Sequence, residues 1–379
     1  MPGGEARADN ILWPAALHTL AKHRIYERYL SKWMPIMIHS WKGNVTYAEG
    51  FAGPGVYTGG EPGSPVIALR SLVGDPLIRT KAHDVRFLFV EKEAPRADRL
   101  RTELAKAARP VALDALDRYG IDLAVRTGEC DPTLLELLAA HNAWGRPMLV
   151  VLDTWGASVR LDLVRRIAQN PSSEVIITFE PQHFSRFATS PTEKHADTVF
   201  GDRHWREVAG QPPEEKAKWL VEKYREVLVD AGFPFVLTFE LVNAGGQSLF
   251  LVFGTTHVRG LQKMKEAMWE VDPTRGVQYR DPADPNQQLL DIEPVPVTGP
   301  LERELAQYLR GQDDNTATVG DLRRFALYQT VYKESQVKPV LDRMIERGRA
   351  VGDGPAGQAR LGGSVRLLSD SSQSTRGHE

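Results

Sequence analysis

The chain has 379 residues, 42% hydrophobic and 25% charged, and its 47 basic and 49 acidic side chains leave a net charge of -2. That length suggests two domains, or a large one with an appendage, with a core big enough to need no disulfide or metal staple. The balanced charge leaves any nucleic-acid partner to a local basic patch. A single cysteine, Cys130, excludes a disulfide framework or a multi-cysteine metal site within the chain and fits a cytoplasmic setting.

Residues 1–10 read as a disordered lead without the apolar core of a secretory signal. From Leu17 the pattern is helical, with Leu20, Ile25, Tyr29, Leu30, Trp33 and Ile36 recurring between charged residues. Asn44–Glu49 is a β-rich run, and residues 50–65 are rich in Gly and Pro. A helix follows at Val66–Val73, then a strand at Val85–Val90, whose apolar run suits burial on both faces. Next come a helix at Ala97–Ala108, a weak strand at Ala124–Thr127 and a helix at Thr133–His141. A second buried strand, Met148–Leu152, precedes a helix at Asp162–Gln169 and a strand at Val175–Phe179. This alternation predicts a mostly parallel α/β sheet with right-handed crossovers. Lys216–Ala231 predicts a long helix, Phe235–Leu241 and Leu249–Phe253 an antiparallel hairpin, and Gly260–Val271 a further helix. No run of about 18 apolar residues marks a membrane span.

The stretch 272–300, rich in Pro, Asp and Gln, reads as a boundary. The expected organisation is an α/β domain over 11–272, a linker over 273–299, a small domain over 300–369 and a disordered tail over 370–379. The small domain shows helices at Pro300–Arg310, Thr318–Ala326 and Ser335–Arg347, then short strands at Ala350–Gly352 and Ser364–Leu368. That order predicts a C-terminal winged helix-turn-helix. Thr318 with Asp321 three residues on reads as a helix cap, and Pro339 is tolerable only in a first turn. Nine basic residues face four acidic ones between Leu322 and Leu368. Arg323, Arg324, Lys333, Lys338 and Arg343 are the candidate contacts to a nucleic-acid backbone.

The sharpest signal is Tyr47-Ala-Glu49-Gly-Phe51-Ala-Gly53-Pro-Gly55, in which an acid ends a strand and closely spaced glycines follow. In a doubly wound sheet that turn lies at the carboxyl edge, where ligands bind. The next strand ends at Glu91, an acid able to accept ribose hydroxyls, and the third ends near Glu129, able to meet an exocyclic amine. Acids at successive strand tips suit an adenosine-bearing cofactor. The dinucleotide fingerprint GxGxxG is absent, as are GxxxxGK[ST], GxSxG and HExxH, and no metal site is expected.

On these motifs the chain resembles the three-Cys-motif partner protein (TcmP) family and, behind it, the class I S-adenosylmethionine-dependent methyltransferases. The carriers are Lys22-His23 with Tyr29 and Trp33, the run from Glu49 to Gly55, Pro62-Gly-Ser64-Pro65, Phe89-Val-Glu91, Asp153-Thr-Trp155-Gly, Phe200-Gly201 with Trp205, and Thr256-His257 with Gly260, Met264 and Trp269. The resemblance implies a Rossmann-like methyltransferase sheet and S-adenosylmethionine as cofactor. Its binding residues would be Glu49, Phe51, Gly53, Gly55, Ser64, Glu91 and Glu129, with Lys22 and His23 near cofactor or substrate. It also implies a partner, a three-Cys-motif protein resembling radical S-adenosylmethionine enzymes.

Methyltransferases of adenine amines, which the chain also resembles, carry an Asp/Asn-Pro-Pro-aromatic motif after the fourth strand. Here Asp153 and Trp155 survive without the prolines. Asp153 would orient or deprotonate the acceptor and Trp155 would stack on it; alternatively Asp153 caps a helix and Trp155 covers the sheet edge. The expected activity is methyl transfer to nucleic acid, at a base amine. The alternative is a catalytically decayed nucleic-acid-binding module that works with the three-Cys-motif partner.

Overall fold

The computed structural model describes residues 11–42, 44–74, 84–154, 158–192, 194–280 and 296–368. They fall into two compact units. One runs to Val271 and resumes at Val277; the other takes Asp272–Gly276 and the chain from 296 onward.

The first unit opens with helix α1 (Leu17–Ser40), then β1 (Thr46–Glu49), α2 (Ser64–Val73), β2 (Val85–Glu91) and α3 (Ala94–Ala108). It continues through β3 (Ile121–Thr127), α4 (Cys130–Ala140), β4 (Met148–Leu152), α5 (Leu161–Ala168) and β5 (Ser173–Phe179). Two short helices that lacked a periodic signal, α6 (Pro181–Phe187) and α7 (His195–Phe200), lead to α8 (Lys216–Ala231), β6 (Phe235–Val242), β7 (Ser248–Thr255), α9 (Val258–Val271) and β8 (Gln278–Arg280).

The strands form one sheet in the order β3-β2-β1-β4-β5-β7-β6-β8. All neighbours run parallel except β7, which is antiparallel to both β5 and β6. The expected sheet, mostly parallel with one antiparallel hairpin, is therefore present. The stretch read as linker contributes β8, parallel to β6, a pairing too short to leave a periodic trace in sequence. The chain steps outward from β1 to β2 and β3, then returns to β4 on the other side of β1. The carboxyl ends of β1 and β4 thus flank the crevice where strand order reverses, the ligand position of open α/β sheets.

Strands β2, β4 and β5 are buried at every position. Alternate side chains feed two cores. Ala48, Leu88, Val90, Val150, Leu152, Val175 and Ile177 pack with Leu134, Leu137, Val164, Ile167, Tyr224 and Leu228 from α4, α5 and α8. On the other face Ile176, Leu237, Phe239, Leu251 and Phe253 meet Ile25 of α1 and Met264 and Met268 of α9.

The second unit comprises α10 (Gly299–Arg310), β9 (Thr316–Thr318), α11 (Val319–Gln329), α12 (Val337–Glu346), β10 (Ala350–Gly352) and β11 (Ser364–Leu367). Its sheet order is β10-β11-β9, all antiparallel. Leu301, Leu305, Leu309, Val319, Leu322, Val340, Leu341, Met344 and Val365 form its core. Thr318 caps α11 by accepting from Asp321 N–H at 3.0 Å, and Pro339 lies in the first turn of α12. Strand β9 was not anticipated; three residues carry no periodicity, and its identity comes from pairing with β11.

Candidate functional site

A cleft of about 330 Å³ opens at the carboxyl edge of the sheet. Its floor is the loop from Gly50 to Tyr57, and its walls come from Ser64, the tips of β2 and β3, Asp153, Thr178 and the first turns of α1. The glycines shape this loop. Gly55 has φ +76°, and a Cβ there would sit 2.8 Å from Leu100 Cδ1, so only glycine lets the loop pack this closely on α3.

Phe51, Gly53, Gly55, Ser64, Glu91 and Glu129 all line the cleft, together with Lys22 and Asp153. Their roles differ from the expected ones in several places. Glu91, expected to meet a ribose, already accepts from Gly53 N–H at 2.8 Å and from Glu93 N–H at 2.9 Å. It anchors the glycine loop, with one lone pair per oxygen to spare. Glu129 is exposed and ion-paired with Lys92 at 2.8 Å.

Glu49 does not line the cleft. It is fully buried, accepting from Tyr47 Oη and Ser64 Oγ at 2.7 Å each. Burial pushes its carboxyl up to about 8, so it is a neutral acid at pH 7 that holds Ser64 in the cleft wall. Cys130 is buried beside Gly50, and burial pushes its thiol up to about 12; it packs and does not react.

Lys22 and Asp153 meet in a direct ion pair, although 131 residues separate them. Thr178 Oγ1 donates to the other carboxylate oxygen. Burial alone would raise the Asp153 pKa; the Lys22 charge and these hydrogen bonds overcome it and hold it below the usual carboxylate range. Asp153 is therefore an anion with a fifth of its side chain open to the cleft. A carboxylate so held can accept further hydrogen bonds and balance positive charge.

His23 does not join its neighbour Lys22 in the cleft. It is buried against Tyr57 and Tyr26, with ring centroids at 5.5 and 6.0 Å. Burial, then the Lys22 charge, lowers its pKa to about 3. It is neutral at neutral pH and packs behind the cleft lining, not in it. Trp155 lies outside the described residues.

Three contributors escaped the sequence reading. Thr178 sits one step beyond the Leu152–Ile177 pair of the β4–β5 register, which places it beside Asp153; its only sequence signal is a lone hydroxyl in an apolar strand. Trp13 precedes α1, and its carbonyl accepts from Thr58 N–H at 3.0 Å. Arg96 of α3 lies over the Trp13 ring at 5.0 Å. Five acids line the cleft (Glu91, Glu93, Glu129, Asp153, Glu180) against the cations Lys22, Lys92 and Arg96, an excess that favours a positively charged ligand.

The basic residues of the second unit are largely self-paired. Arg324 bonds Asp321, Lys338 bonds Asp342 at 2.7 Å, and Arg343 donates to Thr298. Arg347 and Arg349 share the buried Glu302. Arg323 forms no ion pair among the described residues, and Lys333 N–H donates to Gln336 at 2.8 Å. Over residues 299–368 the chain carries eleven basic and nine acidic side chains. The excess between Leu322 and Leu368 is offset by Glu302, Glu304, Asp313, Asp314 and Asp321 upstream, against Arg303 and Arg310.

No group of three metal-ligating side chains occurs, and no helix is long and apolar enough to cross a membrane, among the described residues. No family model matches the chain, and no curated protein matches it. Among solved structures it is similar to the O-methyltransferase TomG from Streptomyces achromogenes in complex with SAM, at 14% identity and TM-score 0.31 over 60% of this chain and 79% of that one. It is similar to a Bacillus cereus O-methyltransferase in complex with SAH, at 14% identity and TM-score 0.31 over 59% and 80%. A spermidine synthase from Thermotoga maritima aligns at 10% identity and TM-score 0.34 over 70% and 72%. At scores this low, the fold assignment rests on the sheet order and register described above.

Proposed function

We propose that the chain is an S-adenosylmethionine-dependent methyltransferase acting on a nucleic acid, at a base amine. The observation that carries this reading is the cleft itself, an acid-rich pocket at the switch point of the sheet with an ionised, partly open carboxylate at its end. The donor set suits the cofactor: Gly53 permits close approach, Gly55 seats the loop against α3, Glu91 and Glu129 offer acceptor oxygens, and the acid excess favours a ligand with a sulfonium and an ammonium group. When bound, the cofactor supplies a methyl group on a positively charged sulfur. Asp153 would accept the N–H of an amine placed beside it and would balance the positive charge on that nitrogen as the methyl–sulfur bond breaks and the sulfur leaves neutral; the surplus proton would then leave through this carboxylate to solvent. Lys22 and Thr178 hold the carboxylate in one orientation, a positioning role.

In this reading the second unit is a winged helix that docks the nucleic acid through Arg323, Arg324, Lys333, Lys338 and Arg343. Its exposed ion pairs are weak enough to open toward phosphate. Calorimetric titration with S-adenosylhomocysteine tests the first half; binding with a Kd in the micromolar range is expected, and no binding at about millimolar ligand overturns it. Transfer of a labelled methyl group to oligonucleotides, lost in Asp153→Asn, tests the second half.

A second reading, a non-catalytic nucleic-acid-binding module that serves a three-Cys-motif partner, is favoured by one observation: both Asp153 oxygens already hold a hydrogen bond. Cofactor binding without transfer to any acceptor, together with retained oligonucleotide binding, is its expected outcome.

A further inference from the structure

The three cations of the cleft are not equivalent. Lys22 is spent on Asp153 and Lys92 on Glu129. Arg96 makes no ion pair among the described residues; its guanidinium rests instead on the Trp13 ring. Carboxylates are close at hand in the same lining, Glu91 and Glu93 among them, yet the guanidinium takes an aromatic face. Stacking engages the flat face of a guanidinium and leaves its in-plane N–H fork unspent, and that fork matches a carboxylate in a bidentate pair.

Trp13 is itself fixed in place. Its carbonyl accepts from Thr58, its ring meets Tyr57 edge-on at 6.0 Å, and a Cβ on Gly53 would lie 3.9 Å from the indole. The pair therefore stands beside the glycine loop, where an anionic group entering an otherwise acid-rich cleft finds one uncommitted positive fork.

We propose that Arg96, seated on Trp13, is the carboxylate receptor of the cleft and takes the carboxylate of the cofactor's amino-acid arm. This rests on the cofactor reading above. It makes Arg96 a binding residue, makes Trp13 the residue that positions it, and accounts for an otherwise idle cation in a cleft whose other cations are paired.

The test is calorimetric titration with two ligands that differ in that arm: S-adenosylhomocysteine, which has the carboxylate, and 5′-methylthioadenosine, which lacks it. Arg96→Ala is expected to weaken S-adenosylhomocysteine by about 10- to 100-fold, the worth of a charge-assisted hydrogen bond. It leaves 5′-methylthioadenosine within about twofold, which also shows the cleft to be intact. Trp13→Ala gives a smaller loss with the same selectivity, and Trp13→Phe restores most of it. Equal losses on both ligands, or none on either, overturn the proposal. An unchanged S-adenosylhomocysteine affinity with weakened oligonucleotide binding overturns it in favour of an acceptor phosphate. If the unmodified protein binds neither ligand, the cofactor reading fails, and the proposal falls with it.

Discussion

The two edges of the large sheet carry the same construction. At the carboxyl edge Glu49 is buried and held by a tyrosine and a hydroxyl, Tyr47 and Ser64. Toward the amino edge Glu174, second residue of β5, is buried and held by Tyr29 Oη at 2.5 Å and Thr255 Oγ1 at 3.0 Å. Burial pushes the first up to about 8 and the second to about 7. Only the first borders a cleft. Glu174 lies against the first turn of α9, where a Cβ on Gly260 would come within 2.1 Å of its Oε1. A perturbed carboxyl alone does not mark a site. Open space and unspent hydrogen-bonding capacity beside it do.

The largest expected effect is on the pH dependence of stability. Both acids keep their protons in the fold at pH values where the unfolded chain has released them. The stability they contribute is fully present below the ordinary glutamate pKa, and it is lost as pH rises through about 7 for Glu174 and about 8 for Glu49. Across that window Glu174 accounts for on the order of 3 kcal/mol and Glu49 for on the order of 5 kcal/mol. Urea unfolding at about pH 5 and about pH 9 should show Glu174→Gln and Glu49→Gln each flattening the dependence by that order. The comparison sharpens if only Glu49→Gln also weakens S-adenosylhomocysteine binding, because only Glu49 holds a cleft residue. An unchanged slope in both variants breaks it.

Lys22→Met should cost about 3 kcal/mol. That is the lower end for a broken buried pair, because Asp153 keeps a fifth of its side chain open. Adding Asp153→Asn should recover part of the loss, since the uncompensated charge is then gone. A double variant as unstable as the sum of the singles would show that the two residues act independently.

The glycines separate the edges at smaller cost. Gly55→Ala forces a side chain at positive φ into Leu100 and should cost about 2 kcal/mol, with S-adenosylhomocysteine affinity falling about tenfold. Gly260→Ala drives a methyl into Glu174 and should cost at least as much stability while leaving that affinity alone. Thermal unfolding and calorimetry on the same two variants decide whether the edges are separable.

How much of this was legible beforehand follows from local chemistry. The strands β2, β4 and β5 were readable because continuous apolar runs bounded by helices have few other homes. The glycine loop was readable because an acid at a strand end, Glu49, followed by close glycines is a dense local signal, and Glu91 because it ends the next apolar run. Trp13, Arg96 and Thr178 were not readable. Each reaches the cleft only through packing between segments far apart in sequence, and each looks ordinary in its own segment. His23 was misplaced for the opposite reason. It adjoins Lys22 in sequence, but consecutive helical residues point about 100° apart, so only one of the two faces the cleft.

The same contrast between local count and spatial pairing predicts the smallest effects, on the second unit. Arg324→Ala and Lys338→Ala each remove an exposed helical ion pair and should change stability by no more than about 0.5 kcal/mol. If α11 and α12 meet a nucleic-acid backbone, each should lower the salt dependence of oligonucleotide binding by about one unit of slope. Asp342→Ala is the more revealing change. It frees Lys338, whose ammonium lies 2.7 Å from the Asp342 carboxylate, and removes a negative charge from the same face. A phosphate-binding surface should then bind more tightly and with a steeper salt slope. A surface that merely neutralises itself should show neither, and the nucleic-acid assignment of this unit would have to be abandoned.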